Sequence, residues 1–201
     1  MNLTVSGLLW NRSLVMEDVE TKSLWSHLLG KAMAGRLKGK TLKPIVSDMT
    51  TWADWKKQHP KTSVLNMFRT ANSYKRQSFG RLQNFVVGFQ ANGQVYSIPF
   101  QRLSAEKAIS FEVEGRPLLA TYDEKVAVAR LYSRKTDSQT YTFSRKGDRL
   151  VDQETDSEWN PSTGVAISGP SKGKALQQRV AIVSYKTPWK TFHPQSIMLS
   201  K

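Results

Sequence analysis

The sequence predicts a mainly β protein of the α+β class, with antiparallel sandwich- or barrel-like sheets, an internal duplication and one short helix near the end of each half. Three observations predict this fold. The same residue pattern occurs twice along the chain, short β-type runs separated by turn residues fill the second half, and only two segments have helical spacing closed by proline. The 201 residues suffice for one compact domain with a buried core.

The duplication aligns Asp18 with Asp152 without a gap, so the two copies lie 134 residues apart. Between positions 18 and 65, 18 of 48 residues are identical to the residues that they align with. Each copy reads Asp-x-Glu-Thr-x-Ser-x-Trp, then Lys-Gly-Lys, then Trp-x-x-x-His-Pro. Two residues 134 positions apart are called repeat partners below. The residues that define the repeat are Thr21, Ser23, Trp25, Gly39 and Trp55, with the partners Thr155, Ser157, Trp159, Gly173 and Trp189.

The pattern divides the chain into a first repeat (residues 1–65), a connection (66–84) and a second repeat (85–201). The second repeat has β-type segments between residues 85 and 143 that the first repeat lacks. We therefore expect the first repeat to be incomplete, with only its hairpin, turn and helix. Half a sheet leaves an open strand edge or an exposed apolar face. We expect one of three consequences: self-association, a partner chain that completes the first half, or a chain that is a fragment of a longer gene product.

The strand signals of the second repeat are local in sequence. Residues 85–89 and 94–98 flank the dipeptide Asn92-Gly93, which is the strongest short signal for a hairpin. β-branched and aromatic residues bounded by turn residues predict four further strands. These strands cover residues 109–113, 118–122, 126–132 and 140–143.

Two short helices are predicted at repeat-partner positions. Residues 51–59 have two tryptophans and a histidine at helical spacing, and Pro60 ends the helix. Asp48 or Thr50 is predicted to cap its N-terminus. Residues 187–193, again closed by a proline, are predicted to form the equivalent helix.

The Asp-x-Glu-Thr-x-Ser-x-Trp motif is interpreted as a β-hairpin. In the second repeat, residues 150–151 form one strand, 153–156 the turn and 157–159 the return strand. The Asp, Thr and Ser side chains then bond to backbone groups of the turn, and the Trp buries a large ring. The alternative is a site of paired carboxylates and hydroxyls, used twice. Glu20 and Glu154 favour this alternative, because a turn does not need them.

Residues 35–41, Gly-Arg-Leu-Lys-Gly-Lys-Thr, resemble a phosphate-binding loop. Only three residues separate its glycines, whereas four are needed to wrap a phosphate, and Pro44 opposes the helix that must follow. The second copy also replaces the hydroxyl residue by Ala175. We therefore interpret this segment as a solvent-facing turn.

Composition bounds the function. Thirty Lys and Arg residues against 16 Asp and Glu residues give a net charge of +14, and such a surface attracts nucleic acid, acidic polymers or anionic lipid. Polyanion or nucleic-acid binding is therefore one functional alternative. The absence of cysteine excludes disulfides, thiolate catalysis and cysteine-bound zinc. No apolar run approaches the roughly 18–20 residues of a membrane span.

The residues that could carry chemistry are two sets of repeat partners: Asp18, Glu20 and His59, and Asp152, Glu154 and His193. Convergence of the two sets would form an enzyme or metal site between the repeats, with the histidines as metal ligands or acid–base groups. A histidine at a helix end more often bonds to the terminal carbonyls, and no recognised catalytic set is present. We therefore favour a non-catalytic binding or structural module without a cofactor, and keep the enzyme as an alternative.

The ordered series of motifs resembles a bacterial and archaeal family known as domain of unknown function 3179, and the resemblance covers nearly the whole chain. In the first repeat it rests on Val5-Ser6-Gly7-Leu8-Leu9, Asn11, Leu14-Val15, Asp18 to Trp25, Leu37-Lys38-Gly39 and Trp55 to Pro60. In the second repeat it rests on Val87-Gly88, Gly93, Tyr96, Pro99, Leu103 and Gly115-x-Pro117.

This resemblance implies a mostly β fold with an internal duplication, and it supplies no activity. It also implies a sheet segment ahead of the first hairpin, where members carry a Cys-Pro-x-Cys stretch, often after an export signal or a lipoprotein anchor. We expect that segment to be missing here. Tyr74-Lys75-Arg76 and Phe79-Gly80-Arg81 resemble a remnant of the family's longer connection. The resemblance suggests an exported or periplasmic protein, and hence a role in the cell envelope.

Overall fold

The computed structural model describes residues 1–64, 81–125, 128–137 and 139–200. Within these residues the chain forms four sheets, three α-helices and a short 3-10 turn at Leu82–Asn84. This confirms the mainly β class. The described sheets stay open, and none of them closes into a barrel. None of the described helices has the length and the apolar character needed to cross a bilayer.

The first repeat is a four-stranded antiparallel sheet followed by one helix. The elements are β1 (Leu3–Trp10), β2 (Ser13–Asp18), β3 (Leu24–Ser26), β4 (Lys31–Ala34) and α1 (Trp52–Gln58). The strands lie in the order β1-β2-β3-β4. Asn11 and Arg12 join β1 to β2 with φ of 47° and 64°, the left-handed conformation that a two-residue hairpin turn favours.

The second repeat holds the other three sheets. Its elements are β5 (Phe85–Ala91), β6 (Gln94–Pro99), α2 (Phe100–Glu106), β7 (Ala108–Val113), β8 (Arg116–Asp123), β9 (Val128–Ser133), β10 (Phe143–Lys146), β11 (Arg149–Asp152), β12 (Glu158–Trp159), β13 (Gln178–Arg179), β14 (Ile182–Tyr185), α3 (Lys186–Phe192) and β15 (Ile197–Met198). The sheet orders are β14-β5-β6-β15, β13-β9-β8-β7 and β10-β11-β12.

The main core lies between two of these sheets, as in a sandwich. Apolar side chains of β5, β6 and α2 meet those of β7, β8 and β9, and Val87, Ile98 and Leu103 are completely buried. A second cluster surrounds Trp159 and joins the β10-β11-β12 sheet to Leu119 of β8 and Tyr132 of β9. Burial of apolar area of this kind is the main favourable contribution to folding.

Most local predictions are confirmed. Asn92-Gly93 forms the predicted turn of the β5–β6 hairpin, and β11 with β12 forms the predicted hairpin of the duplicated motif. The strand predicted at 140–143 is wrong in position, because it begins at Phe143 and continues to Lys146. The prediction also lacks α2, a short helix that places Phe100 and Leu103 in the core. Residues 126–127 of another predicted strand lie outside the described residues.

The predicted cap of helix α1 is wrong. Thr51, rather than Asp48 or Thr50, caps the helix, and its hydroxyl accepts the backbone N–H of Asp54 over 3.3 Å. The side chain of Asp48 instead forms an ion pair with Arg130. The side chain of Asp48, which local sequence rules assign to the helix cap, therefore contacts the distant strand β9 instead.

The structure reproduces the 134-residue spacing in the backbone. Helices α1 and α3 occupy repeat-partner positions residue for residue. The isolated bridge between Lys31 and Thr41 recurs between Val165 and Ala175. The two copies of the sequence pattern therefore have the same local fold.

The two repeats pack on each other through a small apolar cluster. Leu28 of the first repeat lies in one cluster with Val86 and Trp189 of the second. Trp10 packs edge-on against Phe192, with ring centroids 4.7 Å apart. This junction positions a groove between the repeats.

Candidate functional site

The two predicted aspartates lie buried at the ends of β2 and β11, where each holds a turn. The Thr21 hydroxyl donates to Asp18 over 2.6 Å, and the Thr155 hydroxyl donates to both oxygens of Asp152 over 2.9 Å. The hydrogen bond from Thr21, opposed by burial, lowers the pKa of Asp18. Both carboxylates are therefore engaged by their own turns.

A serine in each copy ties the hairpin to the glycine turn that follows it. Ser23 Oγ accepts the backbone N–H of Leu37 over 3.0 Å, and Ser157 Oγ accepts that of Ser171 over 2.9 Å. A Cβ added to Gly35 would lie 2.7 Å from the Cα of Ser23, and Gly169 meets Ser157 in the same way. The close approach explains why glycine stands in both copies.

The segment that resembles a phosphate loop is a turn in both repeats. Gly39 and Gly173 have φ of +89° and +86°, and the space where their side chains would project is open. The next described helix after residues 35–41 is α1, which begins only at Trp52. The strand–loop–helix context of a nucleotide-binding loop is thus not formed.

The two predicted glutamates have different partners. Glu20 is exposed and forms an ion pair with the amino group of Met1 over 3.1 Å. Both carboxylate oxygens of Glu154 accept the backbone N–H of Thr142, over 3.0 and 2.9 Å. Glu154 therefore supports the approach to β10, whereas its repeat partner Glu20 binds the amino group of Met1, ahead of β1.

The two predicted histidines terminate α1 and α3. The backbone N–H groups of His59 and His193 donate to the carbonyls of Trp55 and Trp189, and each imidazole ring packs on that tryptophan at 4.0 and 4.4 Å. Burial lowers the pKa of His193. Within the described residues, no group of three or more His, Asp or Glu side chains is arranged to hold a metal ion.

A buried ion pair between the repeats is absent from the sequence prediction. Nε and Nη2 of Arg130 donate to Asp48 over 2.9 and 2.7 Å, and Gln178 donates to the same carboxylate over 2.8 Å. The side chains of Arg130 and Asp48 are only 3% and 9% exposed. Bidentate pairs of this kind are strong and geometrically specific.

Each member of this ion pair favours the charged form of the other. Burial raises the pKa of Asp48, but the hydrogen bonds from Arg130 and Gln178 together with the nearby positive charge outweigh burial, and the net pKa is lowered. Burial lowers the pKa of Arg130, but the hydrogen bond to Asp48 together with the surrounding acidic groups outweighs burial, and the net pKa is raised. The two oxygens of the Asp48 carboxylate accept three hydrogen bonds, so this carboxylate has a structural role. The sequence contains one signal for this role of Asp48: its repeat partner is the apolar residue Ile182, so the carboxylate belongs to the first repeat alone.

A groove runs between the β1–β2 turn of the first repeat and the start of α3 in the second. It consists of two adjoining cavities of about 440 and 460 Å³, which share Arg12, Tyr185 and Pro188. Its apolar wall includes buried Leu28 and Phe85. The ring of Tyr185 stacks on that of Phe85 with a centroid distance of 4.6 Å.

The rim of this groove carries groups that are available for a ligand. The side chains of Arg12, His27 and Lys186 line it, and within the described part of the chain none of these three side chains has a hydrogen-bond or ion-pair partner. Tyr185 is 57% exposed although its ring stacks on the groove wall. The groove therefore combines an aromatic surface with unpaired cations. Sequence reasoning missed it, because its two sides come together only when the repeats pack.

A sequence model of the family described as "Protein of unknown function (DUF3179)" matches residues 1–85 and, a second time, residues 80–196. Each matched stretch contains one copy of the duplicated motif. No curated protein and no solved structure matches the chain.

Proposed function

The chain belongs to the DUF3179 family of proteins of unknown function, and we propose that this member is a non-catalytic binding module whose ligand site is the groove between its repeats. The main support for this proposal is that a concave apolar surface has the unpaired guanidinium of Arg12 at its rim. Small-molecule sites have this composition, with volumes of about 300–1,000 Å³.

The ligand class follows from the lining. Arg12 presents a planar fork of donors that matches a carboxylate or a phosphate, and Lys186 adds a second positive charge on the same side. The exposed face of Tyr185 offers a stacking surface for a flat apolar group. The proposed ligand is a small organic anion with an aromatic or similarly flat body.

Binding without turnover is supported by the structural roles of the residues that were predicted as acid–base groups. Asp18 and Asp152 are held by the threonines of their own turns, and Glu154 by a backbone N–H. His59 and His193 end helices. The alternative of an enzyme or metal site built from these groups therefore has less support. The cell envelope as the place of action is a proposal that rests on the family resemblance alone.

A pair of probes tests the groove. Titration calorimetry would compare 1-naphthoate with the uncharged 1-naphthalenemethanol. Arg12→Gln is expected to weaken naphthoate binding by about tenfold, which is the loss of about 1.4 kcal/mol, and to leave the alcohol unchanged. Tyr185→Ala is expected to weaken both probes, because it removes the stacking surface. Arg149→Gln is the charge control, because it removes an exposed positive charge on β11, one that pairs with Glu158 over 3.8 Å.

Equal affinity of the wild type and Arg12→Gln for naphthoate would refute the proposal. So would a loss of the same size in the Arg149→Gln control, since that result would assign binding to overall charge.

The net charge of +14 supports a second candidate, the binding of an acidic polymer over the whole basic surface. Heparin is a suitable probe. The logarithm of its binding constant is expected to fall linearly with the logarithm of the salt concentration, and each removed lysine or arginine that contacts the polymer would reduce the slope by about one. A salt-independent affinity would contradict this candidate.

A further inference from the structure

The two cavities of the groove between the repeats have different linings. One of them, of about 460 Å³, is called the polar cavity, and the residues that only it contains are Gln83, Asn84, Lys186 and Thr187. The other, of about 440 Å³, is called the apolar cavity, because most of the residues that only it contains are apolar, among them Leu14 and Phe85. Both cavities contain Arg12, Tyr185 and Pro188. A ligand that fills the whole groove must therefore change in polarity along its length.

The pairing of β14 with β5 assembles the polar cavity. The paired region ends at Tyr185 and Phe85. The chain enters Phe85 from the 3-10 turn Leu82–Asn84, and it leaves Tyr185 into helix α3. Because the two strands are antiparallel, Asn84 and Lys186 lie beyond the same end of the paired region. A backbone hydrogen bond of 2.9 Å from the N–H of Asn84 closes the turn, so the fold holds both sides of this cavity in place.

The polar side chains of this cavity have no structural role in the described part of the chain. There, none of the four side chains that belong to the polar cavity alone has a hydrogen-bond or ion-pair partner. The repeat partners of Lys186 and Thr187 are Trp52 and Ala53. The helix that both repeats form therefore requires neither a cation nor a hydroxyl at these positions. These side chains are available to a ligand instead.

The positive charges of the groove lie where its two cavities meet. Arg12 lines both cavities, and Lys186 lines the polar one. Among the described residues that line the groove, none is acidic. The negative charge of a ligand is therefore expected in the middle of the molecule, between an apolar part and a polar part.

This position restricts the chemistry of the acidic group. A carboxylate or a phosphate monoester has one substituent, so it stands at the end of a molecule. A phosphodiester joins two groups and keeps one negative charge. Its two free oxygens can accept hydrogen bonds from Arg12 and from Lys186 at the same time.

We infer that the ligand of the groove is a phosphodiester that links a flat apolar body to a head with hydroxyl groups. The body lies in the apolar cavity and the phosphate lies between Arg12 and Lys186. The head bonds to Asn84 and Thr187, because amide and hydroxyl groups both donate and accept hydrogen bonds, as the hydroxyls of the head do. This inference rests on the proposed function, since it assigns the ligand of the same groove.

The test compares two diesters of 1-naphthyl phosphate, the propyl ester and the 2,3-dihydroxypropyl ester. The two probes have the same charge and the same carbon skeleton, and they differ only in two hydroxyl groups. Titration calorimetry with the full chain is expected to show that the dihydroxypropyl ester binds about tenfold more tightly, because its hydroxyls add hydrogen bonds. Equal affinities of the two diesters would overturn the inference.

Variants of the polar cavity locate the head. The double variant Asn84→Ala, Thr187→Val is expected to reduce the ratio of the two affinities to about one and to leave the propyl ester unchanged. Thr4→Val, which removes an exposed hydroxyl at the far end of β1, is the matched control and is expected to keep the wild-type ratio. A wild-type ratio in the double variant, or a lost ratio in the control, would overturn the assigned place of the head.

The probe 1-naphthoate separates this inference from the proposed function. Its charge stands at the end of the flat body, so it needs only the apolar cavity and Arg12. If naphthoate binds with a dependence on Arg12 while neither diester binds, the proposed function stands and the inference is overturned. If neither naphthoate nor the diesters bind, both are overturned.

A second pair of diesters, with an octyl chain in place of the naphthyl ring, separates a lipid from an aromatic conjugate as the source of the ligand. The naphthyl pair is expected to bind more tightly, because its ring stacks on Tyr185. Tighter binding of the octyl pair would overturn the flat body and assign an acyl chain to the apolar cavity.

Discussion

The indole nitrogen of Trp159 donates to Oδ2 of Asp152 over 2.7 Å in the interior of the second repeat. The repeat partner, Trp25, is just as buried, but its indole nitrogen has no acceptor within the described residues. Two hairpins with the same backbone therefore differ in one buried polar contact.

This difference predicts unequal effects of the same substitution. Trp159→Phe removes one buried donor to the Asp152 carboxylate, which keeps the bonds from Thr155, and is expected to cost about 1–3 kcal/mol beyond the loss of packing. Trp25→Phe removes a donor that has no acceptor, so only the packing contribution is lost. Urea unfolding of the two variants measures the difference. Equal losses would contradict the inequality of the two hairpins.

The ion pair between Asp48 and Arg130 predicts strong coupling. Asp48→Leu leaves a guanidinium buried without its counter-charge, and is expected to cost about 3–5 kcal/mol. The double variant Asp48→Leu, Arg130→Met removes both charges and is expected to lose less than the sum of the single variants. A double-mutant cycle from urea unfolding measures this coupling. Additive losses would show that the pair does not join the repeats energetically.

The same pair predicts an acid dependence. The folded-state pKa of Asp48 is lowered from its ordinary 3.8, so its contribution to stability is complete above that value and is lost as the pH falls through the folded-state pKa. Unfolding free energies of the wild type and Asp48→Asn would be compared between pH 6 and pH 2.5. The difference between the two unfolding free energies is expected to decrease in acid. A difference that stays constant with pH would refute the lowered pKa of Asp48.

His193 predicts a second dependence at higher pH. Burial lowers its pKa from the ordinary value of 6.5, so the unfolded chain binds a proton before the folded chain does. Stability is therefore complete above about pH 6.5 and decreases as the pH falls below it. His193→Gln is expected to remove this part of the slope between pH 7 and pH 5. A variant with the wild-type slope would assign the effect to other groups.

The contact of Gly88 with Trp189 predicts a steric effect. Gly88→Val places a side chain within the volume of the indole ring, and overpacking of this kind is expected to cost about 1–3 kcal/mol. In a Trp189→Leu background the same substitution is expected to cost much less, because the smaller side chain leaves room. Thermal unfolding of the four proteins tests this, and an equal cost in both backgrounds would contradict it.

The features that were predictable from the sequence are local ones. Asn92-Gly93 specifies its turn within four residues, and Pro60 ends α1 whatever the rest of the chain does. The repeat predicted that the Asp, Thr and Ser side chains of the motif stabilise a turn, but the approach of each serine to the later glycine turn was not predicted. The motif forms a hairpin in both copies.

The features that escaped prediction depend on contacts between distant segments. Asp48 has the local signature of a helix cap, yet its partner Arg130 lies 82 residues further along the chain. Arg12 and Tyr185 have no pattern in common, and they share a groove only because Leu28 packs beside Trp189. No local rule contains this information, since it arises from the relative placement of the repeats.

The bonds between each serine and its glycine turn have a consequence for the order of folding. Ser23 reaches Leu37, and Ser157 reaches Ser171, across only 14 residues, whereas Gln178 reaches Asp48 across 130. Short loops close faster than long ones. The two hairpin-and-turn units are thus expected to form early and separately during refolding. The slow step would be the docking of one unit against the other, in which Asp48 forms its bonds to Arg130 and Gln178.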